Sequence, residues 1–282
     1  MSVKVDSEPR RATATARVVR FRSNFLGAEM PDQVITEEPL EIRIEAPGLP
    51  PEPYATIMRT PGNDFELAVG FLASEGVIAE RRDFSTVCYC TLAATEEQRY
   101  NIVTVSLRNT PEGGRSRTTS VSSACGVCGS QTIADVRQRV APIDSDAAVS
   151  APALTRLPER LRKRQRLFET TGAVHAAGLA DLAGDVLLCR EDVGRHNAVD
   201  KLVGKALMDG DWPLQNKVLV LSGRIAFELV QKAALASIPI IAAVGAPSSL
   251  AIELARECNI TLAGFVGPDH FNVYSHPERI RA

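Results

Sequence analysis

The second half of the sequence alternates short apolar runs with longer amphipathic segments, and this alternation constrains the fold more than any other feature. The short runs have the length of buried strands: "DVLLCRED", "KVLVLSG", "PIIAAVGAP" and "ITLAGFVGP". The longer segments show the helical spacing of apolar residues: "NAVDKLVGKALMDG", "AFELVQKAALAS" and "SLAIELAREC". Strands that alternate with helices in this way predict a largely parallel sheet covered by helices on both faces.

The chain divides into four predicted regions. Residues 1–18 are a polar tail that we expect to be disordered, and residues 19–112 form a smaller N-terminal α+β subdomain of strands and one helix. Residues 109–124 are rich in Gly, Ser, Thr and Pro, so we predict that residues 113–155 are a mobile loop followed by a connection. Residues 156–282 form the α/β domain that contains the alternating pattern.

Charge and hydropathy exclude several classes of protein. The 282 residues carry a net charge of −2, so the chain as a whole is no generic binder of polyanions. Its apolar runs are far shorter than the roughly 20 residues that a membrane-spanning helix needs. The polar N-terminus also lacks the apolar stretch of a secretory signal. We therefore expect a cytoplasmic protein without a membrane partner.

The segment "RLRKRQR" (160–166) is strongly basic but has no interleaved aromatic residues. A nucleic-acid-binding surface usually combines both features. We interpret the segment as a solvated helix face, with Leu157, Leu161 and Phe168 packed inward, and predict no nucleic-acid partner.

Cys125 and Cys128 form a C-x-x-C pair in the stretch "SSACGVCGSQ", and three interpretations compete for it. A structural zinc site needs two further ligands, for which Cys88 and Cys90 are the candidates, although "TVCYC" is more simply a core strand with small apolar side chains. A thioredoxin-like redox pair would follow a strand directly and open a helix. A sulfur carrier needs a thiol on a loop that is long enough to accept sulfur from one partner and deliver it to another.

The neighbours of the pair favour a reactive thiol. Gly126 and Gly129 remove side-chain bulk beside each sulfur, and Arg115 and Arg117 would stabilise a thiolate, which is the reactive form. The second thiol could attack a persulfide on the first and release sulfide, or could shield it. The loop alone does not distinguish a sulfur carrier from a redox switch.

The ends of the predicted strands indicate a binding site for a phosphorylated ligand. Ligands of open α/β sheets bind outside the carboxyl ends of the strands. Four such ends contain a glycine, and they lie at residues 189–197, 221–226, 244–249 and 265–270. Three of them also carry cationic or ionisable side chains: Arg195, His196, Arg224 and His270. Helix N-termini follow the first three ends and favour anions.

Two common nucleotide-dependent classes are disfavoured by the same stretches. None of them matches a P-loop or a dinucleotide-binding glycine fingerprint. Deaminase chemistry would need a glutamate two residues after His175, where Ala177 stands, and a C-x-x-C after the histidine, whereas Cys125 precedes it. We therefore expect His175 to be a hydrogen-bonded site or core residue, and predict no resident metal.

Taken together, these segments resemble the FdhD family, the sulfurtransferase accessory proteins of formate dehydrogenase. The matching stretches follow the family's order: "AVGFLASEGVI", "CGVCG", "LPERLRKRQRLFETTGAVHAAG", "CREDVGRHNAVDKLVG", "LSGRIAFELVQKAA" and "GFVGPDHFNVYSHPERI". The resemblance implies an α/β fold with a cytidine-deaminase-like mixed sheet, helices on both faces and a smaller N-terminal α+β subdomain, assembled as a homodimer. It also implies sulfur transfer, as a persulfide, from a cysteine desulfurase to the molybdenum (or tungsten) bis-guanine-dinucleotide pterin cofactor of formate dehydrogenase.

The resemblance assigns roles to residues of this sequence. It implies that Cys125 carries the persulfide and that Cys128 is its partner. It also implies that one contiguous stretch binds the cofactor: Phe265, Val266, Gly267, Pro268, Asp269 and His270. The other strand ends add four candidate binding residues: Ser222, Arg224, Arg195 and His196. Relatives usually have arginines about where Gly267 and His270 stand, so phosphate neutralisation would depend more on Arg224, Arg195 or protonated His270. The alternatives are a non-catalytic cofactor-binding chaperone and a structural zinc module.

Overall fold

The computed structural model describes residues 11–23, 25–90, 100–110, 119–121 and 140–282. The N-terminal elements are β1 (Thr13–Arg22), β2 (Phe25–Ile35), β3 (Glu38–Glu45), β4 (Glu52–Arg59), α1 (Asp64–Ser74), β5 (Phe84–Tyr89), β6 (Ile102–Leu107) and β7 (Thr119–Val121). Strands β1 and β2 form a separate antiparallel hairpin, and the other five strands form one sheet in the order β5-β6-β3-β4-β7.

The C-terminal elements alternate as the sequence predicts. They are β8 (Val149–Ser150), α2 (Ala151–Arg162), α3 (Arg166–Thr171), β9 (His175–Ala180), β10 (Val186–Asp192), α4 (Arg195–Asp209), β11 (Val218–Leu221), α5 (Phe227–Leu235), β12 (Ile240–Ala243), α6 (Ser249–Glu257), β13 (Thr261–Gly264), β14 (Asn272–Ser275) and β15 (Ile280–Arg281).

The main sheet of this part is mixed. Its order is β10-β9-β11-β12-β13-β14, with β11, β12 and β13 parallel to one another. Strand β9 runs antiparallel to both β10 and β11, and β14 runs antiparallel to β13. The expectation of a largely parallel sheet is therefore wrong for β9 and β14, whereas the mixed α/β class is confirmed.

The alternation of side chains along the strands builds two cores, one on each face of this sheet. In β11, Leu219 and Leu221 join a large core with α4, α5 and α6, whereas Val218 and Val220 join a smaller core with α2. Strand β12 alternates in the same register. Because successive side chains of a strand point to opposite faces, fully apolar strands require helices on both faces, and both faces are covered.

The N-terminal sheet does not have a core of its own. One apolar cluster includes Leu40 and Val103 of this sheet, Leu67 of α1 and Leu202 of α4. Helices α1 and α4 cross in close contact at Gly70 and Gly204, where a Cβ atom on Gly70 would lie 2.8 Å from the Gly204 amide nitrogen. The predicted N-terminal subdomain therefore packs as one layer of a shared core, because glycines in the middle of both helices allow the backbones to approach.

Two predicted boundaries shift in the structure. Strand β1 begins at Thr13, inside the predicted tail of residues 1–18. Helix α2 begins at Ala151, before the predicted domain boundary at residue 156, because the Ser150 hydroxyl accepts a hydrogen bond from the Ala153 amide and caps the helix. Pro158 lies inside α2. Gly172 ends α3 in the left-handed conformation, which glycine adopts without strain.

The basic segment and the predicted core stripe agree with the sequence analysis. Leu157 and Leu161 are buried, and Phe168 lies partly buried beneath the guanidinium of Arg162 at 4.6 Å. The stripe on α4 is buried along its whole length: Val199, Leu202, Val203, Ala206 and Leu207. Among the described helices, none combines the length and apolarity that crossing a bilayer requires.

Candidate functional site

The carboxyl ends of four strands lie at one edge of the mixed sheet. Strand β10 is antiparallel to β9, which is antiparallel to β11, so β10 runs in the same direction as β11, β12 and β13. The predicted meeting of the four strand ends is confirmed. Helices α4, α5 and α6 begin at this edge, which we call the rim, and their N-terminal amides give it a positive potential.

The loops after β11 and β12 are held in close contact by a glycine. The Gly245 amide donates to the Gly223 carbonyl at 3.2 Å, and the Ile225 amide donates to the Ala246 carbonyl at 3.0 Å. A Cβ atom on Gly245 would lie 2.8 Å from the backbone nitrogen of Arg224. Glycine at 245 is therefore a packing requirement, and it fixes the backbone from which the exposed Arg224 side chain extends.

A buried ionic network fixes the loop between β10 and α4. The Asp192 carboxylate is fully buried and lies 2.7 Å from the Lys201 ammonium. It also accepts hydrogen bonds from the Gly194 amide at 2.9 Å, the Asn197 side chain at 2.8 Å and the Thr60 amide at 3.1 Å. A carboxylate that is satisfied on all sides holds its loop in one conformation. This network therefore positions Arg195 and His196, which lie between its members.

Arg195 and His196 hold unsatisfied hydrogen-bonding atoms at the rim. The His196 imidazole is buried, and neither of its ring nitrogens has a hydrogen-bond partner among the described residues. Its Nε2 lies 3.7 Å from the Glu228 carboxylate, and the interaction with the His196 imidazole lowers the pKa of Glu228. The Nε atom of Arg195 is likewise buried and unsatisfied within the described structure. Unpaired buried polar atoms are rare in folded proteins and indicate a missing partner, such as a ligand or ordered water.

His175 opens β9 and lies at the rim between β10 and β11. Its pKa is lowered below the ordinary histidine value, first by burial and then by the positive charges of Arg195, His196 and Arg224, with Asp192 acting in the opposite direction. These effects require the four cationic or ionisable groups to be close neighbours. The rim therefore concentrates positive potential around a half-buried imidazole.

Ser222 connects β11 to the first residues of β9. Its hydroxyl accepts a hydrogen bond from the Ala176 amide at 2.8 Å, and its own amide donates to the Ala176 carbonyl at 3.1 Å. Ser222 therefore fixes the backbone next to His175. Its role in the described structure is to hold the strands together at the rim.

The stretch 265–270 follows β13 at the same edge but is mostly exposed. Phe265 has a left-handed backbone with a φ of 52°, and its amide donates to the Gly245 carbonyl at 3.3 Å. Val266 is buried, and the Gly267 amide donates to the His270 carbonyl at 2.8 Å to close a turn. Asp269 lies 2.7 Å from the His270 ring, which lowers the pKa of Asp269. Pro268, Asp269 and His270 extend into solvent.

A cleft of about 680 Å³ opens beside the rim, between it and helices α2 and α3. His175, Ser222 and Val244 of the rim line this cleft together with Arg162 of α2 and Phe168 of α3. Pockets that hold small molecules and cofactors have this range of volumes and a similar mixture of apolar walls with few polar groups. The cleft therefore has room for part of a nucleotide-sized ligand.

The predicted thiol pair, Cys125 and Cys128, lies outside the described residues. The strand before it, β7, pairs in parallel with β4, so the chain enters this stretch from the edge of the N-terminal sheet. Cys88 is exposed on the edge strand β5, so the expectation that it fills the core is wrong. Alternation along β5 turns Val87 and Tyr89 toward the core and Cys88 away from it. The described residues contain no cluster of three His, Cys, Asp or Glu side chains suited to a metal.

Fold and rim together define a mixed α/β protein whose sheet edge gathers cationic side chains and helix N-termini. A profile of the FdhD/NarQ family matches residues 35–281, and the chain belongs to this family. The chain is 45% identical over 277 residues to the sulfur carrier protein FdhD of Streptomyces coelicolor, with 96% of both chains covered. It is 46% identical over 278 residues to the protein of the same name from Mycobacterium tuberculosis, covering 95% of this chain and 99% of the other.

A solved structure shares the fold. The protein, from Desulfotalea psychrophila, is described as a formate dehydrogenase accessory protein and superposes with a TM-score of 0.74 at 24% identity. The match covers 96% of this chain and all of the other, so the fold extends over both chains.

The structure brings some predicted site residues together and adds others. Arg195, His196, Arg224 and Ser222 all lie around His175, which the sequence analysis did not include among the binding residues. Asp192, Lys201 and Glu228 were also missed. For Asp192 and Lys201, the available indication was a carboxylate at the end of the apolar strand β10 and a lysine in the middle of the apolar pattern of α4. Such residues predict a buried ion pair only once the fold is known.

Proposed function

We propose that this protein is a sulfurtransferase that serves formate dehydrogenase. In this proposal Cys125 accepts sulfur from a cysteine desulfurase as a persulfide, and the sulfur passes to a molybdenum bis-guanine-dinucleotide pterin cofactor, or its tungsten analogue, before that cofactor enters formate dehydrogenase. The names of the two relatives support the sulfur-carrier part. The observation that carries the cofactor part is a set of buried, unsatisfied nitrogen atoms at a cationic rim, the Nε of Arg195 and the two ring nitrogens of His196.

The rim fits a ligand with several phosphates. A guanine dinucleotide carries negative charge along a chain of phosphates, so it needs cations and amide donors distributed over several loops. Arg195 follows β10 and Arg224 follows β11, two strands of the same direction that flank β9, and the N-termini of α4 and α5 accompany them. Binding of a phosphate would satisfy the Arg195 Nε and a ring nitrogen of His196. The residues present therefore fit the proposed cargo.

The proposed sulfur steps balance in atoms and electrons. The Cys125 thiolate attacks the terminal sulfur of the desulfurase persulfide, which leaves the desulfurase cysteine as a thiolate and Cys125 as a persulfide. In delivery, the Cys128 thiolate attacks the inner sulfur of that persulfide. This step forms a Cys125–Cys128 disulfide and releases the outer sulfur as sulfide to the metal of the bound cargo. A cellular dithiol then reduces the disulfide by exchange.

Formation of the persulfide tests the first half of the proposal. The protein is incubated with a cysteine desulfurase and cysteine, and the peptide that contains Cys125 and Cys128 is analysed by mass spectrometry. We expect one added sulfur atom in wild type and in Cys128→Ala, and none in Cys125→Ala. Cys189→Ala serves as the control, because burial raises the pKa of Cys189 to about 12 and keeps it a poor nucleophile. Absence of the adduct in wild type contradicts the proposal.

Binding of GDP tests the second half. Calorimetric titration of wild type should detect binding, and Arg195→Ala and Arg224→Ala should each weaken it about 10- to 100-fold, the size of a lost charge-assisted hydrogen bond. Arg82→Ala is the matched control, since Arg82 is an exposed arginine paired with Glu80 before β5. Equal affinities in all four proteins would exclude the rim as the phosphate site.

The proposal also includes assembly as a homodimer.

A further inference from the structure

A second cleft, of about 900 Å³, lies at the carboxyl end of helix α4. Trp212 lines it together with three arginines, and we call it the arginine cleft: Arg81, Arg82 and Arg108. Helix α4 begins at the rim and has 15 residues, so its two ends are about 22 Å apart. The described residues that line this cleft include none of those that line the cleft beside the rim. The arginine cleft is therefore a separate surface, which the proposed sulfur transfer does not use.

Two of the three arginines have no carboxylate partner in the part of the chain that the structure describes. Of the described lining residues one is acidic, Glu80, and it pairs with Arg82 at 2.6 Å. The Arg81 guanidinium lies 4.5 Å from the centre of the Phe84 ring and donates to the Phe84 carbonyl at 3.2 Å. The Arg108 side chain is exposed and makes no described ion pair. The cleft therefore has two guanidinium groups that an anion can reach.

Carboxylates near the cleft limit the length of anion that fits. Asp209 and Asp211 flank Gly210, which lines the cleft, and they pair with lysines at 2.7 Å and 3.5 Å, respectively. Asp83 accepts two backbone amides of the turn before β5. Sites for nucleic acid need a continuous cationic groove along the backbone. The positive charge here is confined to the cleft, so it favours a short acidic segment over an extended polyanion.

The position of the cleft also disfavours a phosphorylated ligand. Phosphate sites commonly use helix N-termini and backbone amides. The arginine cleft lies at the carboxyl end of α4, where the carbonyl groups give a negative potential. A carboxylate has a single charge and forms two parallel hydrogen bonds with one guanidinium. Two available guanidinium groups therefore match two carboxylates better than a phosphate chain.

Trp212 adds an apolar wall between the cationic side chains. It is the only tryptophan of the 282 residues, and it is partly buried against the large core with one side in the cleft. Pro213 lines the cleft beside it. Tryptophan and arginine are enriched among the residues that dominate the binding energy of protein interfaces. This combination fits a peptide whose carboxylates flank an apolar side chain.

We propose that the arginine cleft is a docking site for an acidic segment of a partner protein. In the docked state the segment's carboxylates pair with Arg81 and Arg108, and an apolar side chain packs on Trp212. The proposal goes beyond sulfur transfer and does not depend on it, because the cleft is separate from the rim. A partner held at this end of α4 leaves the rim open to the cargo.

Fluorescence of the single tryptophan tests the docking site on the full-length protein. The probe is a synthetic peptide of glutamates around one central leucine, without aromatic residues, so any change in emission comes from Trp212. Wild type should show a saturable change at low salt, and the affinity should fall at high salt because exposed charges are screened. The double variant R81E/R108E should bind the peptide at least about tenfold more weakly. The same peptide with glutamines in place of glutamates should not bind.

Two further variants separate docking from net charge and from folding. R156E/R166E changes the net charge by the same amount at exposed arginines of α2 and α3, and it should bind the peptide like wild type. Arg108→Glu alone alters an exposed side chain that makes no described contact, so its unfolding transition should match that of wild type. It should nevertheless weaken peptide binding about threefold or more.

Three results would overturn the proposal. The first is a wild-type protein whose tryptophan emission does not respond to the acidic peptide at low salt. The second is equal peptide affinity in wild type and R81E/R108E. The third is a tighter response of wild type to GDP or to a single-stranded oligonucleotide than to the peptide, lost in R81E/R108E, which would make the arginine cleft a nucleotide or nucleic-acid site.

Discussion

The rim of the C-terminal sheet has a rigid part, residues 192–201, and an exposed part, residues 265–270. In the rigid part, Asp192 and Lys201 are fully buried or nearly so, and every polar atom of the Asp192 carboxylate has a partner. In the exposed part, the side chains of Asp269 and His270 pair with each other and are open to solvent. Both parts lie at the same sheet edge.

This difference predicts that the two parts have different roles in binding a large anion. Groups that are fixed before binding lose little entropy when the ligand arrives, so the rigid part provides a preorganised phosphate site. An exposed turn can adjust to the remainder of the ligand at the cost of ordering its side chains. Substitutions in the rigid part should therefore change stability as well as binding, whereas substitutions in the exposed part should change binding alone.

The largest expected effect is on the buried ion pair. Replacing Lys201 by methionine removes the ammonium but keeps most of the volume, and it leaves the Asp192 carboxylate buried without its counter-ion. We expect the free energy of unfolding to fall by about 3 kcal/mol or more in urea denaturation. Lys205→Met is the control, since its ion pair with Asp209 is at the surface and should contribute under about 0.5 kcal/mol. Similar losses of unfolding free energy in both variants would show that the buried ion pair contributes no more to stability than the surface pair.

The next effect compares two glycines at strand ends. A Cβ atom on Gly245 would meet the backbone of Arg224 and Gly223, whereas a Cβ atom on Gly267 would meet only the His270 ring, which can rotate away. Gly245→Ala should therefore destabilise the protein by about 1–3 kcal/mol. Gly267→Ala should stay within about 0.5 kcal/mol. The comparison fails if thermal unfolding ranks the two variants in the opposite order.

A smaller effect should appear in the pH dependence of stability. The pKa of His175 is lowered in the folded protein, first by burial and then by its cationic neighbours. As pH falls below about 6.5, the unfolded chain binds a proton at His175 while the folded chain does not, so the free energy of unfolding decreases until the folded pKa is reached.

Denaturation of wild type and His175→Gln at about pH 7.5 and about pH 5.5 measures this contribution. The variant should lose less stability than wild type between the two values, because glutamine does not titrate. A steeper loss in the variant would mean that the imidazole is charged at neutral pH and stabilises the rim. Added GDP should raise the pKa of His175. The affinity for GDP, measured at the same two pH values, also reports this change.

The smallest effect should come from the exposed turn. Asp269→Asn removes a negative charge beside the proposed phosphate site and should leave the unfolding transition unchanged. It should increase the affinity for GDP about two- to threefold at low salt, and the gain should disappear at high salt because exposed charges are screened. A clear loss of stability would show that the turn is as rigid as residues 192–201.

Much of this architecture could be predicted from local patterns. The alternation in residues 185–266 predicted the strands, the helices and the shared edge, because successive strands joined by helices run in one direction. The glycine and arginine positions at that edge followed from the strand ends. Two interior glycines, Gly70 and Gly204, were visible in the sequence, but their contact depends on how two distant helices cross.

The remainder depends on contacts between distant segments. The Thr60 amide and the Asp192 carboxylate are 132 positions apart, and no local pattern connects them. Strand β9 turns back on β10 through a short turn at Asp181–Asp185, which reverses its direction and brings His175 to the rim. The exposure of Cys88 follows from the face of β5 that packs on the core, which the strand's own sequence does not specify.

The most direct test follows the sulfur from the protein to the docked cargo. Wild type and Arg224→Ala are first loaded with sulfur by a cysteine desulfurase, and the Cys125 peptide is then analysed before and after addition of the guanine-dinucleotide cofactor. The account predicts equal loading of both proteins, followed by loss of the extra sulfur from wild type and its retention in Arg224→Ala. Loss at the same rate from both proteins would contradict it, because sulfur delivery would then not require the rim.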